Sequence, residues 1–329
     1  MSTLESFRSS QDPVALENLD LKNKNVLVRV DYNCPVGNFR VLNNFRIKES
    51  LATLRNLKEA GVKMITLITH FERPEGKYDF SLSIEPIRLE LENLWGEKIV
   101  MPPYKTDYQE YSDQFDAPKF QVFMWENIRF WPEEEKNNPE FAQALAKNQD
   151  LFVNEAFSAS HRKHASTVGI TKSLPAYAGW HLAEEVREIY QSINKEAIPS
   201  IAIVGGAKIE TKIPVLEALA KNYEKIVLGG KIAVEYEEME KRREEDWQKK
   251  VELPIGYSSA KKFDISKESA ERYAQLIRAA KKIIWNGPMG KFEEEKYRQG
   301  SEIVARAVAE NKNAIRLTGG GDTVELLEK

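Results

Sequence analysis

Residues 200–212 read SIAIVGGAKIETK. A short apolar run, 200–204, stops at Gly205 and Gly206, and a polar stretch carrying Lys208 and Lys212 follows. A buried strand that ends on glycines places them at the carboxyl edge of an α/β sheet, where such sheets bind ligands against helix amino ends. Paired glycines let backbone approach a phosphate, and lysines four apart share one face if Lys208 opens a helix. Read alone, the segment is equally a strand-to-helix turn with two surface lysines. GxxxxGK[ST] is absent, which excludes a P-loop.

Outward from this stretch the pattern recurs. The apolar runs 225–228, 282–285 and 314–317 each precede glycines: Gly229 and Gly230, the segment WNGPMGKFEEE at 285–295, and TGGGDT at 318–323. Asp322 and Thr323 suit either a helix cap or a metal-bound nucleotide phosphate. Upstream, the strand candidates 25–30, 64–68, 121–124 and 151–153 alternate with helical periodicity at 47–60 and 82–94. One amphipathic helix, 178–194, separates the two series. The expectation is an α/β protein of two Rossmann-like, three-layer, parallel-sheet domains, 1–177 and 196–329, joined by a hinge helix at 178–195.

The first half places isolated polar groups beside its strand ends. Asp31 and Asn33 follow the run 25–30 and, two apart, point to the same side of extended chain. Arg46, His70, Arg73, Arg129 and Arg162 stand at strand ends or in polar loops. Any one arginine reads as a surface ion pair, but several at matching edges of one sheet form a clamp for phosphate or carboxylate. His70, His161 and His164 lack the spacing and the partner ligands of a zinc site.

Bulk composition narrows the function further. With 329 residues, 48 basic and 51 acidic side chains, the formal charge is −3, which gives no general attraction to nucleic acid or an anionic membrane. The single cysteine, Cys34, has no disulfide partner and reads as a small buried residue in a reducing compartment. No basic start with an apolar run, and no stretch of about 18 apolar residues, is present, so a cytoplasmic protein is expected. The run 234–250, VEYEEMEKRREEDWQKK, mixes acids and bases at helical spacing and reads as a solvated helix. No GxGxxG follows the first strand, against a dinucleotide-dependent dehydrogenase.

Six segments, VLVRVDYNCPV, ENIRFWPEEEKNNPEFAQALA, FVNEAFSASHRKHASTVG, GGAKIETKI, IIWNGPMGKFE and GGGDT, together resemble phosphoglycerate kinases in order and across nearly the whole chain. The resemblance implies transfer of the acyl phosphate of 1,3-bisphosphoglycerate to Mg-ADP, giving 3-phosphoglycerate and ATP, in a monomer whose domains close about a hinge. It implies that Asp31, Asn33, His70, Arg73, Arg129 and Arg162 hold the phosphoglycerate and that Arg46 is the catalytic arginine. Lys208, also catalytic, and Lys212 match the lysines that meet the nucleotide phosphates. Asn286, Pro288, Gly290 and Glu293 match the adenosine and ribose pocket. Gly206, Gly229, Gly230 and Gly319, Gly320 and Gly321 are expected along the nucleotide, with Asp322 and Thr323 at its Mg2+-bound phosphates and Asp322 as the metal ligand.

Several positions depart from the family pattern. Glu72 stands for a glycine, Glu155 for an aspartate, Ser158 for a glycine and Lys231 for the third glycine of a run. The stretch between Gly230 and Trp285 is shorter than usual, and only seven residues follow Asp322, where the family continues into a further turn and a tail. The expectations that result are a reduced kinase with altered closure, or a form whose catalysis is impaired, and, as the alternative to an enzyme, a non-catalytic phosphoglycerate- or nucleotide-binding relative that acts through interaction. The joint presence of Arg46, Lys208, Lys212, Glu293 and Asp322 favours the enzyme, because a scaffold needs no pair of half-sites.

Overall fold

The computed structural model describes residues 16, 19–105, 120–194, 197–206, 209, 212–240 and 246–328. The chain separates into two units, Met1–Arg187 and Glu188–Lys329, with the division inside the helix Trp180–Asn194.

In the first unit, strand β1 is Asn25–Val30, a hairpin pairs β2 (Val36–Gly37) with β3 (Arg40–Val41), and β4 (Met64–Ile68), β5 (Ile99–Val100), β6 (Gln121–Met124), β7 (Leu151–Glu155) and β8 (Ala176–Ala178) follow. Apart from the hairpin these strands form one six-stranded sheet in the order β5-β6-β4-β1-β7-β8, parallel throughout. Both faces of β1 are covered, which is why it reads as a nearly unbroken apolar run. Val26, Val28 and Val30 pack with Ile47, Leu51 and Leu54 of the helix Phe45–Glu59 and Ile87 and Leu91 of the helix Glu85–Trp95. Leu27, on the opposite face, packs with Phe141 and Leu145 of the helix Pro139–Ala146. From β1 the chain builds outward through β4 to β5 and β6, then returns to lay β7 on the other side. That reversal, between β1 and β7, is the switch point where an open sheet leaves a crevice.

The second unit repeats the plan with β9 (Ser200–Val204), β10 (Lys225–Leu228), β11 (Val251–Glu252), β12 (Lys282–Asn286) and β13 (Ile315–Gly319). Its sheet is five-stranded, parallel, and ordered β11-β10-β9-β12-β13, with the reversal between β9 and β12. Ile201, Ile203, Ile283 and Trp285 face Tyr273, Ile277, Val304 and Ala307, from the helices Lys267–Ala279 and Gln299–Glu310. Ala202, Val204, Ile226 and Leu228 face Leu216 of the helix Ile213–Asn222 and Ile232, Ala233 and Tyr236 of the helix Gly230–Glu240.

The long strands and helices lie where periodicity puts them, with three adjustments. Strands β7 and β12 run on to Glu155 and Asn286, while β13 begins at Ile315 and alternates between half-buried and exposed residues, as a sheet's edge allows. The two- and three-residue strands have too few residues to show a period. The charged run is not solvated all round, because its helix begins at Gly230 and carries Tyr236 into the core, where Trp247 of the 3-10 turn Asp246–Lys250 also packs.

Candidate functional site

The switch-point edge of the first sheet is built around a charge that sequence reasoning passed over. Arg29, next to last in β1, is 1% exposed and shares the face of Leu27. A buried guanidinium must spend its donors internally. Arg29 does so: Nε donates to Ser166 Oγ at 3.1 Å, Nη1 to the Val30 carbonyl at 2.5 Å, and Nη2 reaches His70 Nδ1 at 3.0 Å. Ser166 in turn donates from its amide (3.0 Å) and hydroxyl (2.6 Å) to Glu134, a carboxylate with no exposed surface. The lone arginine in NVLVRV was its only sequence signal.

This contact fixes the state of His70. Guanidinium only donates, so Nδ1 accepts and the proton sits on Nε2. Burial, then the charges of Arg29, Arg162 and Arg46, push the imidazole pKa down to about 2, so the ring is neutral. Arg29, Arg46 and Arg162 thus all bear on one neutral donor.

Asp31 and Asn33 organise the loops around it. Asp31 Oδ2 accepts from Arg46 Nη1 and from the Ser158 hydroxyl, tying the helix Phe45–Glu59 and the loop after β7 to the end of β1. Ser158 therefore has a definite partner where the family pattern has glycine. Asn33 Oδ1 accepts the Glu72 amide at 2.9 Å, and Arg129 Nη1 donates to the Glu72 carbonyl at 2.6 Å. Arg129 is 5% exposed, and its Nε lies 3.2 Å from Glu135 Oε1 but off the line of a hydrogen bond. Arg73 is exposed on the turn beyond Glu72, and no described contact draws its side chain into this cluster.

In the second unit, main chain rather than side chains forms the switch point. The Gly205 amide donates to the Asn286 carbonyl at 2.8 Å. A Cβ on Gly205 would lie 1.9 Å from the Pro288 oxygen, and one on Gly287 would lie 2.3 Å from the Gly205 oxygen, so neither position accepts any other residue. Gly229 and Gly230 donate to Val204 and Met289, closing the neighbouring turn, and Gly206 lies open beside Gly230. Pro288 and Gly290 are buried, whereas Glu293 stands exposed beyond them.

Asn286 connects the remaining loops. Lys212 Nζ donates to its Oδ1 and its Nδ2 donates to the Gly319 carbonyl, both at 3.0 Å, which settles the orientation of the amide. Thr323 is fully buried, and its hydroxyl accepts the Gly287 amide at 2.8 Å. Gly320, at φ +93°, and Gly321 lead into the helix Gly321–Glu328, whose first turn carries Asp322, exposed. Lys208 lies outside the described residues; its neighbour Ile209 donates its amide to Glu235 Oε2 at 2.8 Å, and Lys231 Nζ lies 3.2 Å from Glu235 Oε1. Lys231 is therefore paired along its own helix.

Among the described residues no group of three or more His, Cys, Asp or Glu side chains gathers to hold a metal. A single exposed oxygen donor such as Asp322 beside the open backbone of Gly320 and Gly321 fits Mg2+, which takes one or two carboxylates and completes its shell with phosphate oxygens and water. No described helix is long and apolar enough to cross a membrane.

Comparison with known proteins agrees across the chain. A family profile described as phosphoglycerate kinase matches residues 16–244 and 237–329. The phosphoglycerate kinase of Moorella thermoacetica is 36% identical over 357 residues, covering 96% of this chain and 90% of that protein. The phosphoglycerate kinase of Synechococcus elongatus is 35% identical, covering 98% and 91%. Among solved structures, phosphoglycerate kinase from Coxiella burnetii superposes with a TM-score of 0.77 at 29% identity, and that from Pyrococcus horikoshii with 0.79 at 25%, each covering 96% of this chain and 90% of the other. An alignment of 357 residues exceeds the 329 of this chain, so the Moorella protein carries internal residues that this one lacks.

Proposed function

Because this chain belongs to the phosphoglycerate kinase family, we propose that the arginine-lined edge of its first sheet holds phosphoglycerate and the glycine-lined edge of its second holds the nucleotide. The activity is phosphoryl transfer from 1,3-bisphosphoglycerate to ADP, with ATP/ADP as co-substrate and Mg2+ as cofactor. A terminal oxygen of ADP attacks the acyl phosphorus, the bond between phosphorus and the carboxyl oxygen breaks, and the 3-phosphoglycerate carboxylate leaves with the electron pair. Such a transfer needs no protein nucleophile; it needs aligned oxygens and fixed positive charge around the migrating group. Mg2+, held with the nucleotide and Asp322, neutralises phosphate charge when bound.

The carrying observation is the buried pairing of Arg29 with a neutral His70 that presents Nε2–H, at the sheet end where Asp31 holds Arg46. Guanidinium groups at an edge that carries such a donor suit a ligand with both a phosphate and a carboxylate. Asp31 keeps Arg46 oriented, and Asn33 with Arg129 holds the turn that leads to Arg73. In the second unit, Gly206, Gly229, Gly230 and Gly319 to Gly321 offer backbone to the nucleotide, Lys212 and Lys208 meet its phosphates, and Asn286, Pro288, Gly290 and Glu293 flank adenosine. Thr323 keeps the Gly287 turn in place for them. We place the enzyme in the cytoplasm as a monomer; Cys34, a free thiol buried in the first core, suits a reducing compartment.

Calorimetric titration and a coupled kinase assay test the assignment together. Arg162→Ala should abolish 3-phosphoglycerate binding and spare ADP binding, and Lys212→Ala should do the reverse. Binding of 3-phosphoglycerate that survives the first change and fails with the second overturns the placement of the two ligands.

A further inference from the structure

The helix Trp180–Asn194 runs out of the first unit and into the second, yet it begins without a cap of its own. The residue before it is Gly179, which has no side chain to meet the free amides of the first turn. Two residues from elsewhere meet them. Thr53 Oγ1 accepts the Trp180 amide at 3.0 Å and donates to Glu155 Oε1 at 2.6 Å. Glu155 Oε1 also accepts the His181 amide at 3.1 Å, and Oε2 the Leu182 amide at 3.4 Å. Thr53 is 0% and Glu155 5% exposed.

Both capping residues stand on elements that also reach Asp31. Thr53 follows Arg46 by seven residues in the helix Phe45–Glu59, about two turns, so the two side chains lie on one face. Glu155 ends β7, in register with Val30, and the loop after it supplies Ser158 to Asp31. Gly179 completes the fit: a Cβ there would lie 1.6 Å from Glu155 Oε2. A side chain at 179 and the carboxylate of Glu155 exclude each other. A glutamate where the family pattern has aspartate reaches one methylene further into that space.

We propose that Glu155, with Thr53, is a positioning residue for the transfer reaction: it fixes the amino end of the connecting helix to the two elements that carry Arg46 and Ser158, the two donors to Asp31 Oδ2. This rests on the ligand placement proposed above. Neither residue contacts the ligand, so their loss acts on turnover through Arg46 and through the helix, not on binding.

The test compares the wild type with Glu155→Gln, Thr53→Val, Thr53→Ser, Gly179→Ala and the double variant Gly179→Ala/Glu155→Asp. Glu155→Gln, Thr53→Val and Gly179→Ala should each lower kcat about tenfold and leave KM for both substrates within about twofold. Thr53→Ser, which keeps the hydroxyl, should retain wild-type kcat. In the double variant the shorter carboxylate clears the new methyl group and should recover much of the turnover lost in Gly179→Ala. Amide hydrogen exchange at Trp180, His181 and Leu182 should quicken at least about tenfold in Glu155→Gln. Wild-type kcat together with wild-type exchange in Glu155→Gln overturns the proposal, as does a rise in the phosphoglycerate KM that matches the fall in kcat. If Glu155→Gln does not fold, Thr53→Val carries the same comparison. A wild type that binds both ligands without turnover refutes the functional reading instead, and exchange at the three amides then decides the clamp alone.

Discussion

Glu72 is held at φ +51° by its neighbours' hydrogen bonds to its own backbone, with its amide on Asn33 and its carbonyl on Arg129. A left-handed conformation costs an L-residue about 1–2 kcal/mol, part of which glycine returns as extra freedom in the unfolded chain. Glu72→Gly should therefore stabilise the protein by up to about 1 kcal/mol in urea denaturation. It should also lower KM for 3-phosphoglycerate, because a carboxylate leaves an anion site; an unchanged midpoint and KM would refute both parts. At this scale Asp31, Arg129 and Arg162 were legible because polar residues beyond strand ends have few other uses, whereas Arg46, expected at a strand end or in a polar loop, stands in the first turn of the helix Phe45–Glu59. Arg29 was not, because its partners, His70, Ser166 and Glu134, lie far along the chain and only packing brings them together. Replacing Arg29 with Met should remove the main charge holding His70 neutral. Burial, the larger cause, remains, so the imidazole pKa should rise above its wild-type value in an NMR pH series, and an unmoved titration would refute the contact.

Between the turns of the second sheet and the helix Gln299–Glu310 sits Asp264, 1% exposed, accepting the Gly300 amide at 2.8 Å and the Ile265 amide at 2.9 Å. Desolvation pushes its pKa up to about 6, above its ordinary 3.8, despite the two donors. Because the folded state holds the proton more tightly than the unfolded chain, its contribution to stability is full below the unfolded pKa and disappears as pH rises through about 6. Asp264→Asn should flatten that part of the pH dependence of the unfolding midpoint; an unaltered slope refutes the assignment. Nothing in the sequence marked Asp264, since its role comes from Gly290 and Gly300, which leave no room for side chains beside its carboxylate. Helix Gly230–Glu240 shows the reverse case. Its charges were legible and its buried stripe was not, because Ile232, Ala233 and Tyr236 are too few to outweigh the charged residues around them. Lys231 there offsets Glu235, the carboxylate that holds the Ile209 amide beside the proposed nucleotide edge. Lys231→Ala should raise KM for ADP a few-fold at low ionic strength and leave that for 3-phosphoglycerate unchanged, and Glu235→Gln in the same chain should reverse the rise.

Across the molecule one buried group in each unit answers acid in the opposite sense to the other. His70, with its pKa depressed to about 2, gives the first unit stability that is present above the ordinary value of 6.5 and is lost as pH falls. Asp264 acts on the second unit in the other direction. Differential scanning calorimetry between pH 7 and 5 should show the transition of the first unit moving down relative to that of the second, and His70→Gln should diminish the shift. Parallel movement of both transitions would refute this. The architecture itself was open to sequence reading because strand, glycine turn and helix recur in each half with the same punctuation. Both sheets have covered faces, so their central strands carry the long apolar runs that such reading detects. The short outer strands and the hairpin depend on neighbours for their shape and left no comparable trace.

Where Gly205 rests on Asn286, Gly287 and Pro288, backbone touches backbone with no side chain between. Mutation elsewhere can recolour the rim of that crevice, but it has no purchase on the floor. On the proposed nucleotide placement, efforts to retune this enzyme toward another nucleotide should therefore begin at the periphery, at positions such as Lys231 and Glu293, where a change of side chain leaves the seat itself untouched.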